Sequence, residues 1–341
     1  MRHVKLLTTL VLIVALIFPY SVVNAYHSPS SADQDDTVES NGYTFHIETE
    51  ETADHQVIRS YTLADEDHPT ARSVQADTAD RTKALLLAMG WDQEMVDSLS
   101  PEDLQDYASC KQITTTVSYI KENAQGDMEN ISEHEAISGA AAQNERPNEY
   151  SEVTYTSYMR LTHTVTYYGN AYYRFSADAI WLTMPVWRLQ DSIGSCAPTL
   201  AIDNSTRSGY VKYDVICTDN GTVVMDETVT TGMTSIQNAI NGDWYGSAGV
   251  FDMPADIISS YVLTLYSNLR AHYEFKAYLR YPEFETNFNS VATYCHRQIL
   301  PVISPSISID FNGDAAASIG LSFESSNDYT SAELLLHYTP A

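Results

Sequence analysis

Residues 211–229 read VKYDVICTDNGTVVMDETV, two runs of strand-forming residues on either side of Asp219-Asn220-Gly221. Asparagine and glycine readily adopt the positive φ that tight hairpin turns need, so this tripeptide is a strong hairpin signal. The stretch therefore predicts two antiparallel strands, 211–217 and 222–229, that pair in one sheet.

The same residue types extend over the C-terminal half of the chain. From residue 150 onward threonine and tyrosine are frequent, and both favour strands. Further strands are predicted at 172–184, 261–266, 273–281 and 291–299, with one short helix at 236–240. Strands at this spacing, without long helices between them, predict a mainly β protein with an antiparallel β-sandwich domain over residues 150–341.

Residues 303–323 show the clearest alternation in the chain. The odd positions of the first half are Ile303, Pro305, Ile307, Ile309 and Phe311, with serine and aspartate between them, and the alternation resumes after a turn. Two strands with one apolar face would suit a membrane-inserting hairpin of a pore-forming protein. We favour a sandwich hairpin with one face on the core, since half-buried antiparallel strands produce this alternation by default.

Two acidic stretches precede this domain. Residues 26–76 contain few apolar residues, which predicts disorder for most of the segment, with a short strand possible at 43–47. Residues 125–149 are rich in small and acidic residues and predict a linker.

A small helical unit is predicted between them, at residues 77–124. Residues 84–89 form a helical run that Gly90 ends. Residues 91–99 can form a second short helix. Ser100 can cap the helix that follows, in which Pro101 suits the first helical position and acidic residues come next. We expect the apolar side of this helix to extend to Ile113.

Residues 1–25 have the pattern of a cleavable secretory signal peptide. Arg2 and Lys5 give a positive start, an apolar run follows, and small residues precede a predicted cleavage after Ala25. The run is shorter than the roughly 20 residues that span a membrane, which disfavours an anchor. No cysteine lies at the cleavage site, which disfavours a lipoprotein, so we expect a secreted, extracellular protein. Whether residues 26–149 are removed as a pro-segment stays open.

The chain is strongly acidic. Its formal net charge is −27, and residues 26–150 hold 26 acidic residues against 7 basic ones. Such a chain repels phosphate backbones and anionic lipids. We therefore expect no nucleic-acid partner, and a membrane is a partner only for the pore-forming alternative.

The four cysteines are Cys110, Cys196, Cys217 and Cys295. Export permits disulfides, and four cysteines allow three pairings between which the sequence does not choose. Free buried thiols are the other possibility. Their spacing fits no zinc site, and a simple turn accounts for the acidic stretch 310–314, so we predict no metal and no cofactor.

Catalytic motifs are missing from the sequence, which has no zinc-protease helix, serine-hydrolase elbow or phosphate loop. Cys295 and His296 are adjacent in a predicted strand and should point to opposite faces, which argues against a nucleophile pair. Glu283 and Glu285 share a face and could serve glycoside hydrolysis, but solvated acids at a strand end are the simpler interpretation. We therefore predict that the protein is not an enzyme.

Tyrosine is unusually frequent, with 24 tyrosines against 9 phenylalanines. Tyrosine-rich strands can bind sugars or peptides, although they also simply form half-exposed sheets. Trp244 and Tyr245 lie in the glycine-flanked stretch 241–246, which makes them the best binding candidates in the chain.

Two stretches resemble secreted proteins of Gram-positive bacteria that form uncharacterised families. One is the helical segment from Leu85-Leu86-Leu87-Ala88-Met89-Gly90 to Leu104 and Tyr107-Ala108. The other is Ile180-Trp181-Leu182-Thr183-Met184-Pro185 with Arg188 and Asp191. The resemblance implies an exported protein of such a bacterium and transfers no active site. Trp181, Arg188 and Asp191 also fit a structural role, as a buried tryptophan beside an ion pair.

These observations favour a non-enzymatic binding protein outside the cell or at its envelope, with an extracellular protein or glycan as ligand. The first alternative is a β-pore-forming protein that uses the hairpin at 303–323. The second is a hydrolase whose site is assembled from residues distant in sequence, because a sandwich can host one.

Overall fold

The computed structural model describes residues 37–63, 75–123, 126–144, 156–185, 188–241, 243–259, 262–280, 287–297, 306–312, 316–322 and 329–338. The helices in these ranges are α1 (Gln75–Ala88), α2 (Gln93–Ser98), α3 (Pro101–Ala108) and α4 (Glu133–Asn144). The strands are β1 (Thr37–Ser40), β2 (Tyr43–His46), β3 (Glu48–Glu51), β4 (Val57–Thr62), β5 (Gln112–Glu122), β6 (Met128–Ile131), β7 (Ser157–Gly169), β8 (Tyr172–Trp181), β9 (Gln190–Pro198), β10 (Leu200–Asp219), β11 (Thr222–Gly232), β12 (Ser235–Asn241), β13 (Trp244–Asp252), β14 (Ile257–Ile258), β15 (Val262–Leu279), β16 (Phe288–Arg297), β17 (Ser306–Asn312), β18 (Ala316–Ser322) and β19 (Tyr329–Tyr338). The protein is mainly β, as predicted.

The larger sheet is antiparallel and contains the hairpin of residues 211–229. Its strand order is β11-β10-β15-β8-β7-β5-β4-β3, with β14 beside β15 and β6 beside β5. The predicted hairpin is confirmed as part of β10 and β11. Its turn holds Asn220 at φ 48° and Gly221 at φ 78°. These positive values explain why asparagine and glycine occupy the turn.

A five-stranded antiparallel sheet, in the order β12-β13-β9-β16-β19, packs against one face of the larger sheet. One apolar cluster joins Phe175 and Phe275 of the larger sheet to Phe251 and Tyr294 of the smaller one. Burial of each such side chain contributes about 1.5–3 kcal/mol. The predicted antiparallel β-sandwich is confirmed, and strands that precede residue 150 extend its larger sheet.

Helices α1, α2 and α3 cover part of the opposite face of the larger sheet. Trp91 and Leu86 belong to a second apolar cluster that includes Ile113 of β5. The oxygen of Ser100 accepts a hydrogen bond from the amide of Asp103 at 3.1 Å, so the predicted start of α3 is confirmed. The helix ends at Ala108, and Ile113 belongs to a strand, so the expected extension to Ile113 is wrong.

The prediction of disorder for residues 26–76 does not hold at 37–63, where β1 to β4 form. The short strand expected at 43–47 is present as β2. Phe45, Ile47 and Tyr61 are buried in the cluster that α1 shares. Few apolar residues are sufficient here, because the helices cover the buried side of the strands while the acidic side chains stay in water. Residues 26–36 and 64–74 lie outside the described residues.

The prediction of a linker over residues 125–149 is wrong at 128–144, where β6 and α4 form. Small residues are needed here for packing. A Cβ at Gly139 would lie 2.3 Å from Cζ and Oη of Tyr158 in β7, so the glycine lets the end of this side chain pack closely on α4. Composition alone does not separate such a close-packed helix from a flexible linker.

Residues 236–240 also differ from the prediction, since they form part of β12 and not a helix. Each residue of β12 has a partner in β13, from Ser235 opposite Val250 to Asn241 opposite Trp244. Pairing with β13, the next strand in the sequence, overrides the local helical preference of these residues.

The hairpin predicted within 303–323 is present as β17 and β18, which pair from Ser306 opposite Ser322 to Asn312 opposite Ala316. Their side chains, the signal peptide at 1–25 and the acidic pair Glu283 and Glu285 lie outside the described residues. Within the described ranges, no helix has both the length and the apolar character to cross a membrane.

Candidate interaction surface

Five side chains meet between the two sheets in what we call the inter-sheet cluster: Glu122 of β5, Trp181 of β8, Asp191 of β9, and Tyr294 and His296 of β16. Nδ1 of His296 lies 3.0 Å from Oδ2 of Asp191, and its Nε2 lies 3.5 Å from Oε1 of Glu122. Tyr294 donates a hydrogen bond to Asp191, and the indole of Trp181 donates to the Tyr294 hydroxyl at 2.9 Å.

The charges in this cluster are mutually stabilised. Burial alone would lower the pKa of His296, but the negative charges of Asp191 and Glu122 raise that pKa to about 9. Burial and Asp191 raise the pKa of Tyr294 well above its usual value. At neutral pH the imidazole is therefore a cation and the phenol is neutral. His296 and Asp191 are both 0% exposed, so this histidine joins the sheets and does not face a substrate.

The structural role expected for Trp181, Arg188 and Asp191 is correct for the tryptophan, which is 3% exposed. The predicted ion pair is wrong. Arg188 pairs with Asp256 at 2.6 Å, while Asp191 pairs with His296. No local pattern indicates the second pair, because 105 residues separate its members.

A second buried histidine lies in the same core. His163 donates from Nδ1 to the carbonyl of Ser176 at 2.9 Å, and its Nε2 lies 2.7 Å from Oγ of Ser290. Burial lowers the pKa of His163 to about 4, although the bond to Ser176 opposes this shift. A serine beside a neutral imidazole is the arrangement of an activated nucleophile. Both side chains are 0% exposed, however, so no substrate reaches them without opening the core.

Ion pairs hold α2 and α3 on the polar face of the larger sheet. Asp106 of α3 contacts Arg174 at 2.9 Å and Lys276 at 2.8 Å. Asp92, which caps α2, contacts Arg270 at 2.6 Å. Basic side chains of β8 and β15 thus neutralise the aspartates at one end of each helix. This explains how a face of charged side chains supports a helical layer.

The third histidine pair lies on this face. Nδ1 of His272 is 2.7 Å from Oδ1 of Asp178, and its Nε2 is 3.6 Å from Oε2 of Glu274. Burial opposes the protonated form, but both carboxylates raise the pKa of His272 well above its usual value. The imidazole is therefore a cation that takes part in the ion-pair network and does not act as a neutral base.

Strand β11 is the most exposed long element of the larger sheet. Its side chains are accessible along both faces, apart from partial burial at Val229. Val223, Val224 and Met225 are 39%, 61% and 43% exposed. Within the described part of the chain, β11 pairs only with β10, so one of its backbone edges carries no strand partner.

The outermost strands at the other edges of the two largest sheets differ from β11. Strand β3 at the opposite end of the larger sheet has four residues, of which three are glutamates. In the smaller sheet, β12 lies against β17, and β19 lies against β5 and β7. Short length, charge and cover are the usual means by which proteins prevent pairing at an edge. Strand β11 is eleven residues long, contains no lysine or proline, and has Asp226 and Glu227 as its charged residues.

A pocket of about 290 Å³ adjoins the C-terminal end of β11. It is lined by Tyr213, Thr231, Gly232, Thr234, Phe251, Asp252, Met253 and Pro254. The volume falls just below the range of about 300–1,000 Å³ that is typical of small-molecule sites, and it suits a single long side chain. An unpaired strand edge and a pocket for a side chain therefore lie next to each other.

The two aromatic residues predicted to bind, Trp244 and Tyr245, lie at the start of β13. Trp244 packs against the buried cluster that contains Cys196 and Val291. The guanidinium of Arg280 lies 4.0 Å above the ring of Tyr245 and donates to its hydroxyl at 2.8 Å. One face of this ring is thus already covered. The binding role of both residues stays a prediction.

The cysteines are mostly buried. Cys110 and Cys217 carry free thiols, and Cys196 and Cys295 are buried in β9 and β16. Burial raises the pKa of Cys110 to about 12, so its thiolate is scarce at neutral pH. This environment suits packing, not nucleophilic chemistry.

No protein-family model matches the chain, and no curated protein matches it. Its function must therefore be inferred from its own surfaces.

Proposed function

We propose that this chain is an exported, non-enzymatic interaction protein that binds a protein partner by adding a strand to β11. The observation that carries the proposal is the long edge of β11, which is uncovered among the described residues. A strand added to such an edge gains main-chain hydrogen bonds from every second residue. The partner would lengthen the larger sheet without disturbing the core.

Two features of the edge support this role. In the part from Met225 to Gly232, β11 is in continuous register with β10, so it offers a regular ladder to a new strand. The bulge between Cys217 and Thr218 lies near the hairpin tip and leaves that ladder intact. A regular ladder whose strand carries only two charged residues, Asp226 and Glu227, is costly to leave exposed, because it also favours aggregation. A partner that covers it accounts for its presence.

Burial of three histidines and their partners supports the non-enzymatic part of the proposal. His163, His272 and His296 are all at most 6% exposed and are engaged in hydrogen bonds or ion pairs. A general base needs contact with substrate or with a water molecule. An active-site probe that labels the intact protein would contradict this part of the proposal.

The strand-addition proposal is tested by selecting peptides of about nine residues, the length of an ordinary strand, from a random library on the full chain. The selected peptides are then measured on two variants, Val229→Pro and Thr230→Pro. Successive amides of a strand point to opposite sides, so one proline removes a bond to β10 and the other removes only the outward donor.

The informative variant is the one that keeps the melting temperature of the parent protein. It should lose most of the peptide binding, because the outward ladder is interrupted. Thr49→Pro in β3 is the matched control at the opposite edge and should bind as the parent does. Selection of peptides whose affinity is insensitive to both β11 prolines would overturn the proposal.

A further inference from the structure

We infer that the strand received by β11 is a basic segment, and that one of its lysine or arginine side chains enters the pocket beside Thr231. This inference rests on the proposed function and names the partner's chemistry. Thr231 lies opposite Val211, two residues from the pocket residue Tyr213. Tyr213 and Thr231 therefore share a face, and a strand paired with β11 places every second side chain on that face.

The walls of the pocket suit a long side chain with an apolar stem. Tyr213 and Pro254 are partly exposed and provide apolar surface, whereas Phe251 and Met253 are buried and contribute little of it. Lysine and arginine pack their methylene groups on such surfaces while their charged ends reach a polar group. An aliphatic side chain would use the walls alone and leave the polar end of the pocket unused.

The polar end of the pocket offers hydrogen-bond acceptors. Asp252 is exposed, and its Oδ1 accepts a hydrogen bond from the amide nitrogen of Gln190 at 3.0 Å. The Asp252 carboxylate is complementary to an ammonium or guanidinium group, which only donates hydrogen bonds.

The charge of the strand itself favours the same partner. Asp226 and Glu227 are exposed in the middle of β11, and the strand contains no lysine or arginine. The whole chain has a formal net charge of −27. A second copy of this chain would bring acidic residues against acidic residues, whereas a basic segment is attracted, and its association is accelerated at low salt. The favoured occupant is therefore a basic strand of a different protein.

The peptide selection described above tests this inference through the composition of the selected sequences and through Asp252→Asn. We expect enrichment of lysine or arginine, and about a tenfold loss of affinity in Asp252→Asn, the effect of about 1.4 kcal/mol. Asp54→Asn removes an exposed carboxylate far from β11 in sequence and should change affinity less than twofold. Replacing the recurring basic residue of the best peptide with norleucine should lower the affinity as much as Asp252→Asn does. Combining the two changes should lower the affinity no further.

The outcomes separate the two proposals. Peptides that depend on β11 but are apolar or acidic, or that bind Asp252→Asn as tightly as the parent, overturn the basic-segment inference and leave strand addition intact. Self-association of the chain through β11 also overturns the basic-segment inference. It would be seen in sedimentation as a dimer that is lost in the β11 proline variant with the parent melting temperature. The absence of any β11-dependent peptide overturns both.

Discussion

Nδ1 of His296 lies 3.0 Å from Oδ2 of Asp191, and both side chains are completely buried between the two sheets. The pair joins β16 to β9 within the smaller sheet, and through Glu122 and Trp181 it contacts the larger one. It is thus placed to hold the two layers of the sandwich in one arrangement.

Removing one member of this pair should destabilise the fold strongly. We expect His296→Gln to lower the free energy of unfolding by about 3–5 kcal/mol, because it leaves buried carboxylates without their cation. Denaturant titration measures the change. His337→Gln is the control, since this exposed histidine forms a surface hydrogen bond with Asn289, and its effect should stay within about 0.5 kcal/mol. Equal effects of both substitutions would contradict a structural role for the pair.

The buried histidines predict how stability depends on pH. The raised pKa of His296, about 9, contributes stability that is complete below the unfolded value of 6.5 and is lost as the pH rises through 9. The lowered pKa of His163, about 4, acts in the opposite sense, and its contribution is present above 6.5 and is lost as the pH falls through 4.

These two histidines therefore favour a stability maximum near pH 6.5, which urea titrations across the pH range can locate. His163→Asn should remove part of the acid limb and leave the alkaline limb unchanged. A loss of the alkaline limb in this variant would contradict the assignment.

A tight contact between β9 and β13 predicts a second destabilising change. In Gly194→Ala the new Cβ would lie 2.3 Å from Cβ of Ala248 and 2.5 Å from the carbonyl oxygen of Ser247. Relief requires a shift of backbone, so we expect a loss of about 1–3 kcal/mol. Gly232→Ala is the matched control at the end of β11, where nothing lies within 4 Å. Its melting temperature should equal that of the parent or rise slightly.

The ion pairs between α3 and the larger sheet predict that Arg174→Met destabilises the fold much more than Lys83→Met does. Arg174→Met should cost about 3 kcal/mol, because Asp106 and the partly buried Glu274 lose one basic partner each and keep Lys276 and His272. Lys83→Met removes an exposed pair with Asp97 and should cost less than about 1 kcal/mol. Thermal unfolding measures both. A small effect of Arg174→Met would mean that the helices are held by their apolar contacts alone.

The local elements of this protein follow from its sequence. The turn at 219–221 needs residues that tolerate positive φ, and Ser100 supplies the oxygen that the first amides of α3 require. Both signals act within a few residues, and both elements formed where they were predicted. The antiparallel sandwich follows in the same way from the spacing of strands and turns.

Contacts between distant segments decided the rest. Phe45 of β2 and Tyr61 of β4 are buried in the apolar cluster that α1 shares, and Gly139 of α4 packs closely on Tyr158 of β7. The partner of Asp191 is 105 residues away, and the position of β11 at an open edge is a property of the sheet order. A sequence pattern specifies which side of a strand is apolar, whereas burial, charge pairing and edge exposure depend on which segments become neighbours.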